Sequence, residues 1–107
     1  MAEVFYAHTA NYSASNLDAA LVSALLPCID SCGGVQGKRV MIKPNFLEWK
    51  GHDKPVCVAP ELLLAVCRLL KNSGAAKIAV IENPAVKSAP VIVENMGIAA
   101  ELSALGV

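Results

Sequence analysis

Short continuous apolar runs alternate along the chain with longer stretches in which apolar residues recur at helical spacing. The runs at residues 4–8, 40–42 and 78–81 are typical of buried strands. Helical spacing separates these runs, and two short helical stretches follow the third run. This order predicts an α/β fold, namely a three-layer α/β/α arrangement of the βαβαβ type with a small, mainly parallel sheet and C-terminal helices.

Start and stop signals support the first two helices. A capping-box pattern, with Asp18 three residues after Ser15, predicts the start of the first helix. Pro27 lies inside its apolar stripe and is expected to kink or restart the helix, because proline lacks the amide hydrogen and crowds the preceding turn. The second helix is predicted to begin at Pro60 and to end just before Gly74.

Polar clusters follow two of the predicted strands. The second strand runs into Lys43 and Asn45, and the third runs into Glu82 and Asn83. Because a helix separates the two strands, they are expected to pair in parallel through a right-handed crossover. Parallel strands bring their carboxyl ends to one edge of the sheet, where open α/β sheets bind ligands.

The residue types in these clusters suit a small anion. Lys43 supplies a cation, and Asn45 lies on the same side of the strand because side chains alternate. The free amides at the start of the next helix add a positive dipole end. A carboxylate or a phosphate fits this set of donors. The predicted ligand-binding residues are Lys43, Asn45, Glu82 and Asn83.

Glu82 is the candidate catalytic residue, as a proton acceptor, but whether the protein is an enzyme stays open at this point. A simpler interpretation also stays open, in which Lys43 and Glu82 form an ion pair that only closes the sheet edge. Exposed pairs of this kind contribute about 0–1 kcal/mol to stability.

Composition limits the alternatives. A chain of 107 residues suits one α/β domain, residues 1–107. The apolar fraction of 55% suits a parallel sheet covered on both faces, and it also suits self-association through exposed apolar surface. With nine basic and nine acidic residues, nothing steers the protein toward nucleic acid. The helix that leads into Gly106 and Val107 would normally feed a further strand, so the chain is expected to be the N-terminal portion of a longer protein.

Membrane and export signals are missing from the sequence. It contains no uninterrupted apolar run of about 18 residues, so no membrane span is predicted. Its N-terminus lacks a basic region followed by an apolar stretch, so a cytoplasmic location is expected. Reduced thiols are therefore the default, and the cysteines are interpreted as small buried hydrophobic residues. They are Cys28, Cys32, Cys57 and Cys67.

The stretch at residues 46–59 is longer than the usual link of about 2–6 residues between a strand and a helix. Glu48, His52 and Asp53 within it are possible ligands of a divalent cation. Solvated polar side chains are the simpler interpretation, so no metal site is predicted. Trp49 is expected to pack as an anchor.

Three segments in this order resemble a known family. They are VMIKPN at residues 40–45, PELL through LLKNSGA at residues 60–75, and IAVIENP at residues 78–84. Together they resemble the start of the uncharacterised family called domain of unknown function 362. Family members often have Thr-Thr-His before the helix and Asp-Ser-Pro after the third strand, whereas this chain has Cys-Val-Ala and Glu-Asn-Pro.

The resemblance implies a longer protein, and some members of the family carry 4Fe–4S segments with four closely spaced cysteines. No such motif lies in these 107 residues, so no cofactor is expected within them. Three functions stay open: binding of a small anion, a scaffold or accessory module of an iron–sulfur redox protein, and an interaction module without catalysis.

Overall fold

The computed structural model of the protein describes residues 2–107. Four helices and two strands form along this part of the chain. In chain order they are α1 (Ala14–Ser31), β1 (Arg39–Ile42), α2 (Pro60–Asn72), β2 (Lys77–Val80), α3 (Ala89–Met96) and α4 (Ala99–Ala104). Across residues 2–107, no helix combines the length and the apolar character that crossing a bilayer requires.

The two strands pair in parallel, which confirms the predicted α/β class and strand direction. Arg39 lies opposite Lys77, and Ile42 lies opposite Val80. α2 is the crossover between them, because two parallel neighbours cannot be joined by a tight turn. The carboxyl ends of β1 and β2 therefore meet at one edge of the sheet.

α2 forms where the sequence predicts it. Pro60 occupies the first helical turn, where its missing amide costs nothing. The buried face of α2 includes Leu63, Cys67 and Leu70, which recur at helical spacing. Gly74 follows the helix with φ +89°, a left-handed conformation that glycine adopts without strain.

α1 begins two residues earlier than the capping-box pattern predicts. The Ser13 hydroxyl accepts a hydrogen bond from the Asn16 amide at 3.3 Å, so Ser13 rather than Ser15 caps the helix. Asp18 instead accepts a bond from the Arg68 guanidinium at 2.8 Å and so ties α1 to α2. The helix continues through Pro27 to its end at Ser31.

The prediction of a strand at residues 4–8 is wrong. This segment is irregular and pairs with neither strand, and Val4 and Tyr6 are 84% and 87% exposed. The sheet of residues 2–107 therefore has two strands rather than three. An apolar run creates a strand only when a sheet edge receives its backbone groups, and the run alone cannot indicate that edge.

The helices of residues 2–107 do not build the predicted layer on both faces of the sheet. The inward side chains of the strands pack against the core, and they are Val40, Ile42, Ile78 and Val80. The same core holds Leu63 of α2, Ile92 of α3 and Leu102 of α4. On the opposite face Met41 is 74% exposed. The described chain is therefore an α/β unit with one covered sheet face and one open face.

Candidate functional site

The polar residues after β1 and β2 lie side by side. The Ile81 amide donates to the Ile42 carbonyl at 2.9 Å, so the parallel pairing continues to the ends of both strands. Just beyond, the Lys43 Nζ atom lies 3.0 Å from the Glu82 Oε2 atom. The predicted juxtaposition of Lys43 and Glu82 at one sheet edge therefore exists.

Glu82 is the fixed partner of this ion pair. Its side chain is 12% exposed, and its second oxygen, Oε1, accepts a hydrogen bond from the Asn83 amide at 2.8 Å. The Asn83 amide, and next the Lys43 ammonium, hold the pKa of the Glu82 carboxyl below its usual value. Glu82 is therefore a carboxylate at neutral pH, and a lowered pKa makes it a weak proton acceptor.

Lys43 is the accessible partner. Its side chain is 79% exposed, although its ammonium is tied to Glu82. An ammonium group has three N–H donors, and the structure shows one of them in use, toward Glu82. The remaining donors face solvent at the sheet edge and can reach an added anion.

Asn45 and Asn83 occupy different positions relative to the ion pair of Lys43 with Glu82. The Asn45 carbonyl accepts a hydrogen bond from the Val58 amide at 2.8 Å. Since Val58 lies two residues before the start of α2, this bond ties the segment after β1 to the start of the helix. The Asn45 side chain is exposed and makes no hydrogen bond within residues 2–107. Asn83 contacts Glu82 through its backbone amide, and it lines the groove described next.

An open groove of about 460 Å³ lies at the ends of the two strands. Its walls are mostly apolar, and its charged groups come from the ion pair. The lining residues are Met41, Ile42, Lys43, Ile81, Glu82 and Asn83. Three of the four predicted ligand-binding residues thus line one groove, and Asn45 is not among its lining residues.

The long loop after β1 makes a side-chain contact with α2 that the sequence does not predict. His52 Nε2 lies 2.7 Å from Glu61 Oε1 in the first turn of α2. The Trp49 ring stands edge-on to the His52 ring, with centroids 5.1 Å apart and an angle of 88° between planes. No local signal pairs His52 with Glu61, because their contact depends on the path of an irregular loop.

The cation-binding interpretation of this loop gains no support. Glu48 pairs with Lys50 at 3.5 Å, and His52 turns to α2 instead. Within residues 2–107, no group of three or more His, Cys, Asp or Glu side chains is placed to hold a metal ion. Trp49 packs against the core, as predicted.

The four cysteines divide into a buried pair and an exposed pair. Cys57 and Cys67 are buried as predicted, whereas Cys28 and Cys32 are exposed, so the prediction for this pair is wrong. Helical spacing predicts Cys28 and Cys32 on one side of the first helix, but it does not tell whether that side is covered, and Cys32 follows α1 as its C-cap residue. Burial raises the pKa of the Cys67 thiol to about 11, and the nearby Arg68 charge only partly opposes this shift.

A family model covers the part of the chain that forms the groove. The family model "Domain of unknown function (DUF362)" matches residues 40–107, a range that contains β1 except Arg39, all of α2 and β2, and every residue that lines the groove. Searches of the curated proteins and of the solved structures gave no match. The match spans more than half of the 107-residue chain, and the protein therefore belongs to the family Domain of unknown function (DUF362).

Proposed function

We propose that the protein binds a small anion, a carboxylate or a phosphate, at the sheet edge where β1 and β2 end. Lys43 supplies the cation, and Asn45 and Asn83 supply amide groups that bond to the anion. The observation that carries the proposal is the state of Lys43: its ammonium lies 3.0 Å from Glu82, yet its side chain is 79% exposed.

The arrangement favours an incoming anion in spite of the carboxylate beside it. Both Glu82 oxygens already accept hydrogen bonds, and the side chain is largely covered. An anion that approaches from solvent therefore meets the Lys43 ammonium first. Glu82 limits the motion of Lys43, which lowers the entropy that binding would otherwise cost.

The expected affinity is modest. A hydrogen bond to a charged group contributes about 1.5–3 kcal/mol, and a millimolar complex needs about 4 kcal/mol. Two such bonds to the free Lys43 donors therefore give a dissociation constant of about 1 mM. In this proposal Glu82 positions Lys43 and does not take up a proton, because its pKa is lowered.

Titration with inorganic phosphate and with acetate tests the proposal. We expect Lys43→Ala to weaken binding of both anions about tenfold or more, because it removes the only cation of the groove lining. Lys71→Ala is the matched control, since Lys71 is an exposed lysine in the last turn of α2. Equal affinities of the Lys43→Ala and Lys71→Ala variants would reject the proposal.

A further inference from the structure

We infer that the anion carries an apolar chain, and that this chain lies along the open face of the sheet. This inference rests on the proposed function, because it uses the same cation. It adds the chemical class of the ligand: an amphipathic monoanion whose head group binds at Lys43. The apolar chain would cover Met41, Ala79 and Ile81, which we call the outer strip.

The outer strip is apolar surface without a cover. Met41 is 74% exposed and Ile81 is 52% exposed, whereas Val40 and Ile42 on the inner side pack against the core. Met41 and Ala79 are register partners, so their side chains lie next to each other on the open face. Parallel sheets are normally covered on both faces, so this face is the unusual one.

Two grooves run along the strip and share its residues. The groove at the strand ends has a volume of about 460 Å³, and a second groove of about 420 Å³ continues it toward the strand starts. Both are lined by Met41 and Ile81. The four residues of β1 span about 13 Å at about 3.3 Å each, so the two grooves form one track of roughly that length.

The charges at the two ends of the track select an anion. Lys43 lies at one end, and the register partners Arg39 and Lys77 lie at the other. Neither Arg39 nor Lys77 forms an ion pair with any residue of the described chain, 2–107. Arg39 and Lys77 face each other across the strand pair as like charges, which is unfavourable without an anion. Glu82, the acidic residue at the other end, is largely covered. The open face is thus apolar in the middle, with Arg39 and Lys77 at one end and the Lys43 ammonium of the ion pair at the other.

The head group belongs at Lys43 rather than at Arg39. Glu82 holds the Lys43 ammonium in place, and the Asn83 amide holds Glu82 in turn, so this end is preorganised. A single hydrocarbon chain fits a track of these dimensions.

A series of n-alkyl carboxylates tests the inference: acetate, butanoate, hexanoate and octanoate, each below its micelle concentration. We expect the dissociation constant of the wild-type protein to fall about two- to fourfold for each added methylene that lies on the strip. Met41→Ser should remove this chain-length dependence. Lys43→Ala should weaken the binding of every member by a similar factor.

Val22→Ser is the matched control for Met41→Ser. Val22 is an exposed apolar residue on α1, away from the sheet, and is 52% exposed. It should leave the chain-length dependence intact. The same dependence in the Met41→Ser variant as in the wild-type protein would mean nonspecific association and would overturn the inference.

Other outcomes separate the two proposals. If acetate binds through Lys43 but octanoate binds no tighter, the inference fails while the proposed function stands. If octanoate binding is lost in Arg39→Ala and kept in Lys43→Ala, the head group lies at the opposite end and the inference fails, while the phosphate and acetate titrations of Lys43→Ala decide the proposed function. If the protein dimerises and Met41→Ser abolishes the dimer, a second copy covers the strip, and the inference also fails.

Discussion

The Lys43 ammonium lies 3.0 Å from the Glu82 carboxylate, although the two residues are 39 positions apart in the chain. Parallel pairing of β1 with β2 produces this contact, because Ile42 and Val80 are register partners and the next residues leave the sheet together. The pair places a fixed, accessible cation at the end of an apolar groove. The proposed anion site depends on this one contact.

The contribution of Glu82 to stability should depend on pH. Its pKa is lower in the folded protein than in the unfolded chain, so its stabilising effect is present above about pH 4.3. The effect should be lost as the pH falls through the lower, folded-state pKa. We expect Glu82→Gln to destabilise the protein at pH 7 and to have little effect near pH 2, in urea unfolding at both pH values.

Glu94→Gln is the control for this measurement, because Glu94 is exposed on α3 and forms no ion pair within residues 2–107. It should change the free energy of unfolding equally little at both pH values. A Glu82→Gln effect that is constant with pH would contradict the assigned hydrogen bonds of Glu82.

Cys67 should make the protein less stable at alkaline pH. Its folded-state pKa of about 11 lies above the usual thiol value, so the thiol loses its proton first in the unfolded chain. Stability from this group is complete below about pH 8.5 and falls as the pH rises toward 11, by at most about 1.4 kcal/mol per pH unit. Cys67→Ala removes this titration, so its free energy of unfolding should fall less steeply between pH 8 and 10.5.

The measured quantity is the difference in the free energy of unfolding between Cys67→Ala and the wild-type protein at each pH, because titrations common to both proteins cancel in it. Parallel pH profiles of the two proteins would show that the Cys67 thiol is open to water. They would contradict its place in the core beside Leu63 and Leu70.

Ile92 should be a large contributor to the packing of α3. It is completely buried, and truncation of a buried isoleucine leaves a cavity, so Ile92→Ala should cost about 2–5 kcal/mol in the free energy of unfolding. Val91→Ala on the same helix is the control, because Val91 is 40% exposed and should change stability by at most about 0.5 kcal/mol. Similar losses in the two variants would contradict the docking of α3.

The parts of the fold that the sequence predicts well are those in which several local signals agree. α2 combines an apolar stripe, Pro60 at its start and Gly74 beyond its end, so its position is clear. Parallel pairing then follows from the strand–helix–strand order, and the contact of Lys43 with Glu82 follows from the pairing.

The parts that the sequence does not predict depend on distant contacts. The run at residues 4–8 has the composition of a strand, but no sheet edge receives it. Ser13 and Ser15 can both cap a helix, and a local pattern cannot decide between them. The pair of His52 with Glu61 depends on the path of the loop, and the open sheet face depends on where α1 packs.

Amide chemical shifts of the isotope-labelled wild-type protein, followed during titration with inorganic phosphate, test most directly whether an anion binds where β1 and β2 end. We expect the largest shifts at Lys43, Asn45 and Asn83, at a phosphate concentration near 1 mM, since this is the affinity expected for about two charge-assisted bonds. Shifts centred on Arg39 and Lys77 at the opposite end of the strands, or no shifts at all, would contradict the proposed site.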